Sequence, residues 1–270
     1  MTLKLSRANG NLNLAQTFTW NQTVWNPSMI STALWLDAAD ASTIIQSSNL
    51  VSQWSDKSGN ARNGTQAGAA RPTYSATGLN AKPTLIFDGS TTDLVLASVS
   101  ALTSVNQSFV IVAQRNNAAG RTEISFGIGN KTTSDGIADI PRWTDNVMYS
   151  QVGYVSNRPS PTSVITNSPY INCVTGGSIQ LSYTNGILLG TGTAQSSSPF
   201  SVADGGYIGS GRALSPSNRY FAGNISELVI IPSVVTNDIR QKLEGYLAWK
   251  WGLTANLPSN HPYKTVGPTP

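Results

Sequence analysis

From Ser31 onward the chain alternates short apolar runs with clusters of Gly, Asn, Asp, Ser and Pro, the spacing of strands in a β-sandwich. The runs fall at residues 33–36, 84–87, 94–96, 109–112, 123–128, 147–154, 170–174, 179–183, 187–189, 206–208 and 225–231. Residues 109–112 and 228–231 are apolar at every position, which predicts central strands covered on both faces. Asn185-Gly186 sits between two alternating segments; both residues tolerate positive φ, so the pair predicts a tight hairpin.

One stretch has helical period instead. Over residues 237–251, Ile239, Leu243, Tyr246, Leu247 and Trp251 recur at i, i+4, i+7, i+8 and i+12, while Arg240, Gln241, Lys242 and Glu244 fill the other side. Thr236 is the expected N-cap and Gly252 the left-handed C-cap. The position three residues after Thr236 is Ile239, so the acidic partner of a capping box is missing. The proline-bearing tail beyond Gly252 is expected to run along the domain. Residues 1–30 differ from the rest, being Asn-rich and weakly apolar, and read as an arm. Phe18, Trp20 and Trp25 are its candidate attachment residues, suited to adding a strand to a sheet edge. Residues 31–270 form the expected domain.

Composition sharpens this picture. Of the 270 residues only 11% are charged, where ordinary soluble domains carry roughly 25%. Ser, Thr, Asn and Gly occupy the remaining polar positions, which favours strands and turns over helix surfaces. A chain of this length can bury a large core without a disulfide or metal staple. It has one cysteine, Cys173, and one histidine, His261, which excludes an intramolecular disulfide and any site needing two of either. The net charge of +4 is spread without a run of like charges, so nucleic-acid binding is not expected. No stretch of about 18 apolar residues predicts a membrane span, and the first residues lack the apolar core of a secretory signal.

Three stretches carry a family resemblance. They are LWLDAAD at 34–40 with VSQWSDKSGN at 51–60; KPTLIFDG at 82–89; and FAGNISEL at 221–228 leading to EGYLAWKWGL at 244–253 and LPSNHPYK at 257–264. Over roughly residues 31–264 the chain resembles the concanavalin A-like, laminin-G-like jelly-roll family, in the variety found in bacteriophage structural proteins and bacterial surface proteins. The resemblance implies an all-β fold, a two-sheet antiparallel jelly-roll sandwich with one C-terminal helix packed on it, used for adhesion, display or glycan binding. The expected role is a non-enzymatic virion component of a tailed phage, a capsid decoration, head fibre or tail-associated adhesion protein. Its partners would be other virion proteins, or copies of itself through the arm, and host-surface glycans. A bacterial surface or secreted lectin-like module is the alternative, and a glycan hydrolase the enzymatic one.

The candidate chemistry is thin. Hydrolysis needs two carboxylates flanking a cleft, yet the three glutamates Glu123, Glu227 and Glu244 show no paired spacing along a strand, and Glu244 falls on the polar side of the helix where a solvated or capping role is expected. His261 lies between Asn260 and Pro262 in the tail, where a surface position is expected, and Cys173 on an apolar run reads as a buried small hydrophobe. No cofactor is expected. Sandwiches of the resembled family often hold calcium, for which Asp37, Asp40, Asp56 and Asp88 are the candidate ligands, although a role in a local turn is the favoured reading of each. Trp143, Tyr149, Tyr154 and Tyr207, in or beside turn-rich segments, are the candidate glycan-binding aromatics, whereas Trp35, Trp54 and Trp251 fit the core pattern.

Overall fold

The computed structural model describes residues 6–8, 11–13, 24–116, 121–133, 135–153, 155–159, 162–194, 199–214 and 219–270. Phe18, Trp20 and Tyr154 lie outside them. The described residues form an all-β, antiparallel sandwich with one α-helix.

In the first sheet, Ser108–Arg115 is central, flanked by Tyr170–Thr175 and Ala222–Ile231. Beyond Tyr170–Thr175 follow Ile179–Thr184, Ile187–Ala194 and Val155–Asn157. The ten-residue strand Ala222–Ile231 pairs with two partners end to end, Leu34–Asp37 along one half and Lys82–Asp88 along the other. The second sheet runs Val147–Val152, Asp135–Ile140, Phe126–Asn130, Gly206–Ile208, Leu94–Leu96, Gly64–Thr65, Leu50–Trp54 and Ile44–Ser47. A separate pair, Ser6–Ala8 with Asn11–Asn13, stands at the N-terminal end.

Register decides which side chains face inward. Phe109 of the first sheet meets Phe126 of the second edge-on, ring centres 4.9 Å apart. Alternation therefore turns Phe109 and Ile111 into the sandwich and Val110 and Val112 outward, to the face the helix covers. All four are fully buried, as their unbroken apolar run predicts. Gly209 marks a close approach between layers: at φ +85°, an added Cβ would come within 2.1 Å of the Phe87 ring.

The helix spans Asn237–Trp251, as its period predicts. Thr236 Oγ1 accepts from the Ile239 N–H at 3.3 Å, and Gly252 closes the helix in the left-handed conformation. Leu243, Leu247 and Trp251 are buried. The Asn185-Gly186 turn takes positive φ at both positions between Ile179–Thr184 and Ile187–Ala194.

Several expectations are corrected. Arg240 and Glu244, on the side of the helix expected to be solvated, are both buried, because the chain after the helix folds back over them. His261 is likewise buried rather than on the surface. Its Nδ1 accepts the Tyr263 N–H, which leaves Nε2–H to donate to Glu244 Oε2 at 3.2 Å, while the Arg240 guanidinium pairs with Glu244 and stacks 3.9 Å above the Tyr183 ring. Trp25 is not free for a partner: it is buried against the edge of Tyr246, and its N–H bonds the Pro268 carbonyl. Trp25 and Pro27, within the stretch assigned to the arm, thus pack with the domain. The strand placed at 123–128 begins at Phe126, Glu123 forming only an isolated bridge to Arg142.

Candidate functional site

The carboxylates are largely occupied by structure. Glu227, on the outward face of Ala222–Ile231, is fully buried beneath the helix. It accepts from Trp35 Nε1 at 2.8 Å, Trp251 Nε1 at 2.7 Å, Tyr246 OH at 3.1 Å and Lys250 Nζ at 2.7 Å. Burial raises its pKa, against the pull of Lys250. Asp37 is its cross-strand partner and also takes Lys250 Nζ, at 2.6 Å, so one ammonium sits between the two carboxylates. Glu123 is fully buried against Arg115, Nε to Oε2 at 3.1 Å. Between the sheets, Asp139 accepts from Asn172 Nδ2 at 2.6 Å and Ser125 Oγ at 2.5 Å, and burial raises it from 3.8 to about 6. Cys173 is fully buried, which pushes its thiol up and away from reactivity.

The four candidate calcium ligands meet hydrogen-bond donors. Asp37 and Asp40 flank Lys57 Nζ at 2.9 and 2.8 Å, and Asp40 also caps the short turn at Ser42. They line an open cleft of about 580 Å³ with Trp35, Tyr246 and Lys250, whose charges are already paired across it. Asp56 accepts the N–H groups of Trp35, Ser58 and Arg62. Asp88 takes those of Ser90, Thr91 and Thr92; burial opposes its ionisation, but these donors outweigh it and hold the carboxyl well below its usual range. A cation site needs oxygens with lone pairs to spare, and here they point at N–H, O–H and ammonium groups. Among the described residues no three acidic, His or Cys side chains gather as a metal site.

Three of the four aromatic candidates lie on one sheet face, and two of them touch. In the second sheet Phe126 and its partner Asp139 face inward, so the alternate positions Gly127, Ala138 and Ile140 face outward, away from the first sheet. Tyr207 opposes Gly127 and Tyr149 opposes Ile140, which puts both rings on that outward face. Trp143 joins them from the tight turn before Val147–Val152. Its N–H bonds the Val147 carbonyl at 2.9 Å, Asn146 takes the left-handed conformation, and Asp145 caps Val147 and accepts from Tyr149 OH at 2.6 Å. Trp143 and Tyr149 meet edge to face at 6.5 Å, over a small apolar cluster of Ile124, Ala138, Ile140 and Leu214. Each ring is partly exposed.

Arginines lie on these rings. Arg219 stacks on Trp143 with its Cζ 3.8 Å from the ring centre, Arg158 lies at 5.0 Å from the same ring, and Arg212 sits 4.8 Å over Tyr207. Arg212 is paired with Asp93 at 3.3 Å. Arg219 is buried, and burial, with the like charge of Arg158 added, brings its guanidinium down to about 10. Sequence reasoning named the aromatics and missed the arginines. The local feature the two on Trp143 share is a preceding Ser-Asn, in SNRP at 156–159 and SNRY at 217–220, which says nothing of a common ring.

The fold and this face define an all-β, two-sheet antiparallel sandwich with a cationic, aromatic outer surface. No protein-family model and no curated protein matches the chain. Among solved structures it is similar to a Trypanosoma rangeli sialidase in complex with sialic acid, with a TM-score of 0.56 and 13% identity over 82% of this chain and 33% of that one. It is also similar to domain 4 of AbnA, a GH43 extracellular arabinanase from Geobacillus stearothermophilus, in complex with arabinotriose. There the TM-score is 0.50 and the identity 20%, over 67% of this chain and 88% of that domain. The chain spans about a third of the length of the sialidase. Likeness at these identities is likeness of fold.

Proposed function

We propose that this chain is a non-catalytic carbohydrate-binding sandwich whose sugar platform is the outer face bearing Trp143, Tyr149 and Tyr207. The observation that carries this is the placing of three partly exposed rings on one sheet face by register and one tight turn, Trp143 and Tyr149 in contact and Tyr207 further along the face, outside the main core. Aromatic faces with charged side chains around them suit sugars, whose C–H faces stack on rings while their hydroxyls take hydrogen bonds. The fold-level likeness to an arabinanase domain solved with arabinotriose supports the same reading. Hydrolysis is disfavoured because one carboxyl must be free to hand over a proton beside a second, nucleophilic or basic one. Asp37 and Glu227 are neighbours, but Lys250 lies between them and Glu227 carries four donors.

The setting that the sequence resemblance implies, and that we propose, is the virion of a tailed phage, with the domain displayed outward and the residues before Val24 serving attachment. The test of binding is a glycan array probed with the full chain and with Trp143→Ala. Retained glycans that the variant loses at least tenfold, with no release of reducing ends, are the expected result. An array with no ligand, or binding unchanged in the variant, refutes the platform. Imaging of particles for density of this size tests the setting.

A further inference from the structure

Arg219 stands out among the arginines of this surface. It is more than nine-tenths buried and stacked on Trp143, and among the described residues its guanidinium makes neither an ion pair nor a hydrogen bond, its backbone carbonyl alone accepting one, from the Gly211 N–H. All thirteen acidic residues of the chain fall within the described residues, so the missing counter-charge is not hidden elsewhere in the sequence. A buried cation is ordinarily paired, because desolvation is costly and an opposite charge offsets it. Here the charge acting on it is that of another cation, Arg158, held over the same indole ring. Stacking on Trp143 restrains the guanidinium plane of Arg219 and leaves its donors unspent on protein groups.

We propose that Arg219, with Arg158 beside it on Trp143, is a binding site for the carboxylate of an acidic sugar. This rests on the glycan-binding reading and names its ligand class. A carboxylate matches the planar two-donor edge of a guanidinium better than a hydroxyl does. It would supply the counter-charge that Arg219 lacks, in a partly desolvated place where charge pairing counts for more than in open water. The sugar ring would rest on the neighbouring Tyr149 and Trp143 edges, so acid group and platform are read by adjacent parts of one surface.

The test titrates the full chain with a glucuronate trisaccharide, the glucose trisaccharide of the same linkage, its sulfated derivative, and sodium acetate. The expected result is at least tenfold tighter binding of the glucuronate than of the neutral sugar, falling as salt is raised. Arg219→Gln should bring the ratio of glucuronate to neutral-sugar affinity down to about one, whatever it does to the neutral affinity itself, and Arg219→Lys, which keeps charge but not the planar fork, should retain only part of that ratio. Equal binding of acidic and neutral trisaccharides by the parent protein overturns the proposal while leaving the platform standing. Preference for the sulfated sugar overturns the choice of carboxylate. Acetate binding as tightly as glucuronate keeps the anion site and refutes the sugar platform, and no binding of any probe refutes both. Should Arg219→Gln fail to fold by circular dichroism, the parent's salt dependence and the lysine variant carry the same decision.

Discussion

Replacing Glu227 by alanine is expected to cost more than any other single change at the helix–sheet junction. The carboxylate ties together Trp35 of the first sheet and Tyr246, Lys250 and Trp251 of the helix, at 2.7 to 3.1 Å. Breaking a buried ion pair from one side costs about 3–5 kcal/mol. Lys250 keeps Asp37 as a second partner, which points to the lower end of that range. Two buried indole N–H groups lose their acceptor as well, at about 1–3 kcal/mol each. The expected loss is therefore about 5 kcal/mol, a large part of the stability of an ordinary domain. For a domain of this size that is a fall in Tm of about 10–20 °C. Glu227→Gln keeps one acceptor oxygen but turns an N–H₂ toward the remaining donors, and about half the loss is expected. Urea unfolding followed by tryptophan fluorescence measures both variants, and an unchanged m-value confirms that stability alone has moved. An alanine variant within about 1 kcal/mol of the parent would show that Glu227 is not the tie between helix and sheet.

Leu247→Ala, deleting a buried side chain under the helix, should cost about 2–5 kcal/mol while Lys242→Ala, whose Asp238 partner is exposed, stays near neutral; equal melting temperatures would contradict the assigned face. Trp25→Ala should lower Tm clearly and Trp25→Phe much less, since the ring packs on Tyr246; no change in either would return Trp25 to the arm. Asp139 gives a pH dependence. Its folded pKa of about 6 lies above the ordinary 3.8, so the native state holds the proton longer, and stability falls by about 3 kcal/mol as pH rises from 4 to 6, then levels. Asp139→Asn cannot ionise and should lack that step; parallel stability curves for parent and variant between pH 4 and 7 would refute it.

Local signals were legible where short-range chemistry decides the outcome. The helix over 237–251 was marked by its own period, by Thr236 and by Gly252, all of which act within a few residues. The Asn185-Gly186 hairpin was marked because both residues enter the left-handed region cheaply. The turns at Ser48-Asn49 and Asn80-Ala81 adopt the same conformation and went unread, since serine and alanine do not announce positive φ. There the pairing of Leu79 with Lys82, and of Ser47 with Leu50, imposes it. The polar side of the helix looked solvated because periodicity reports which residues share a side, not what chain covers it. The tail carrying His261 lies beyond Pro258, and only its return over Arg240 and Glu244 buries them.

The sequence by itself determined an all-β chain with one capped helix, a buried Cys173 and a core built on Trp35, Trp54 and Trp251. Alternation and capping are properties of neighbouring residues, so they survive without knowledge of partners. What only the tertiary structure decided is which residues meet across long separations. Tyr149 and Tyr207 share a face because strand register aligns them, Trp143 joins it from a turn, and a shift of one residue would turn Tyr149 or Tyr207 inward. Arg158 and Arg219, some sixty positions apart, meet at one indole ring only in the folded chain.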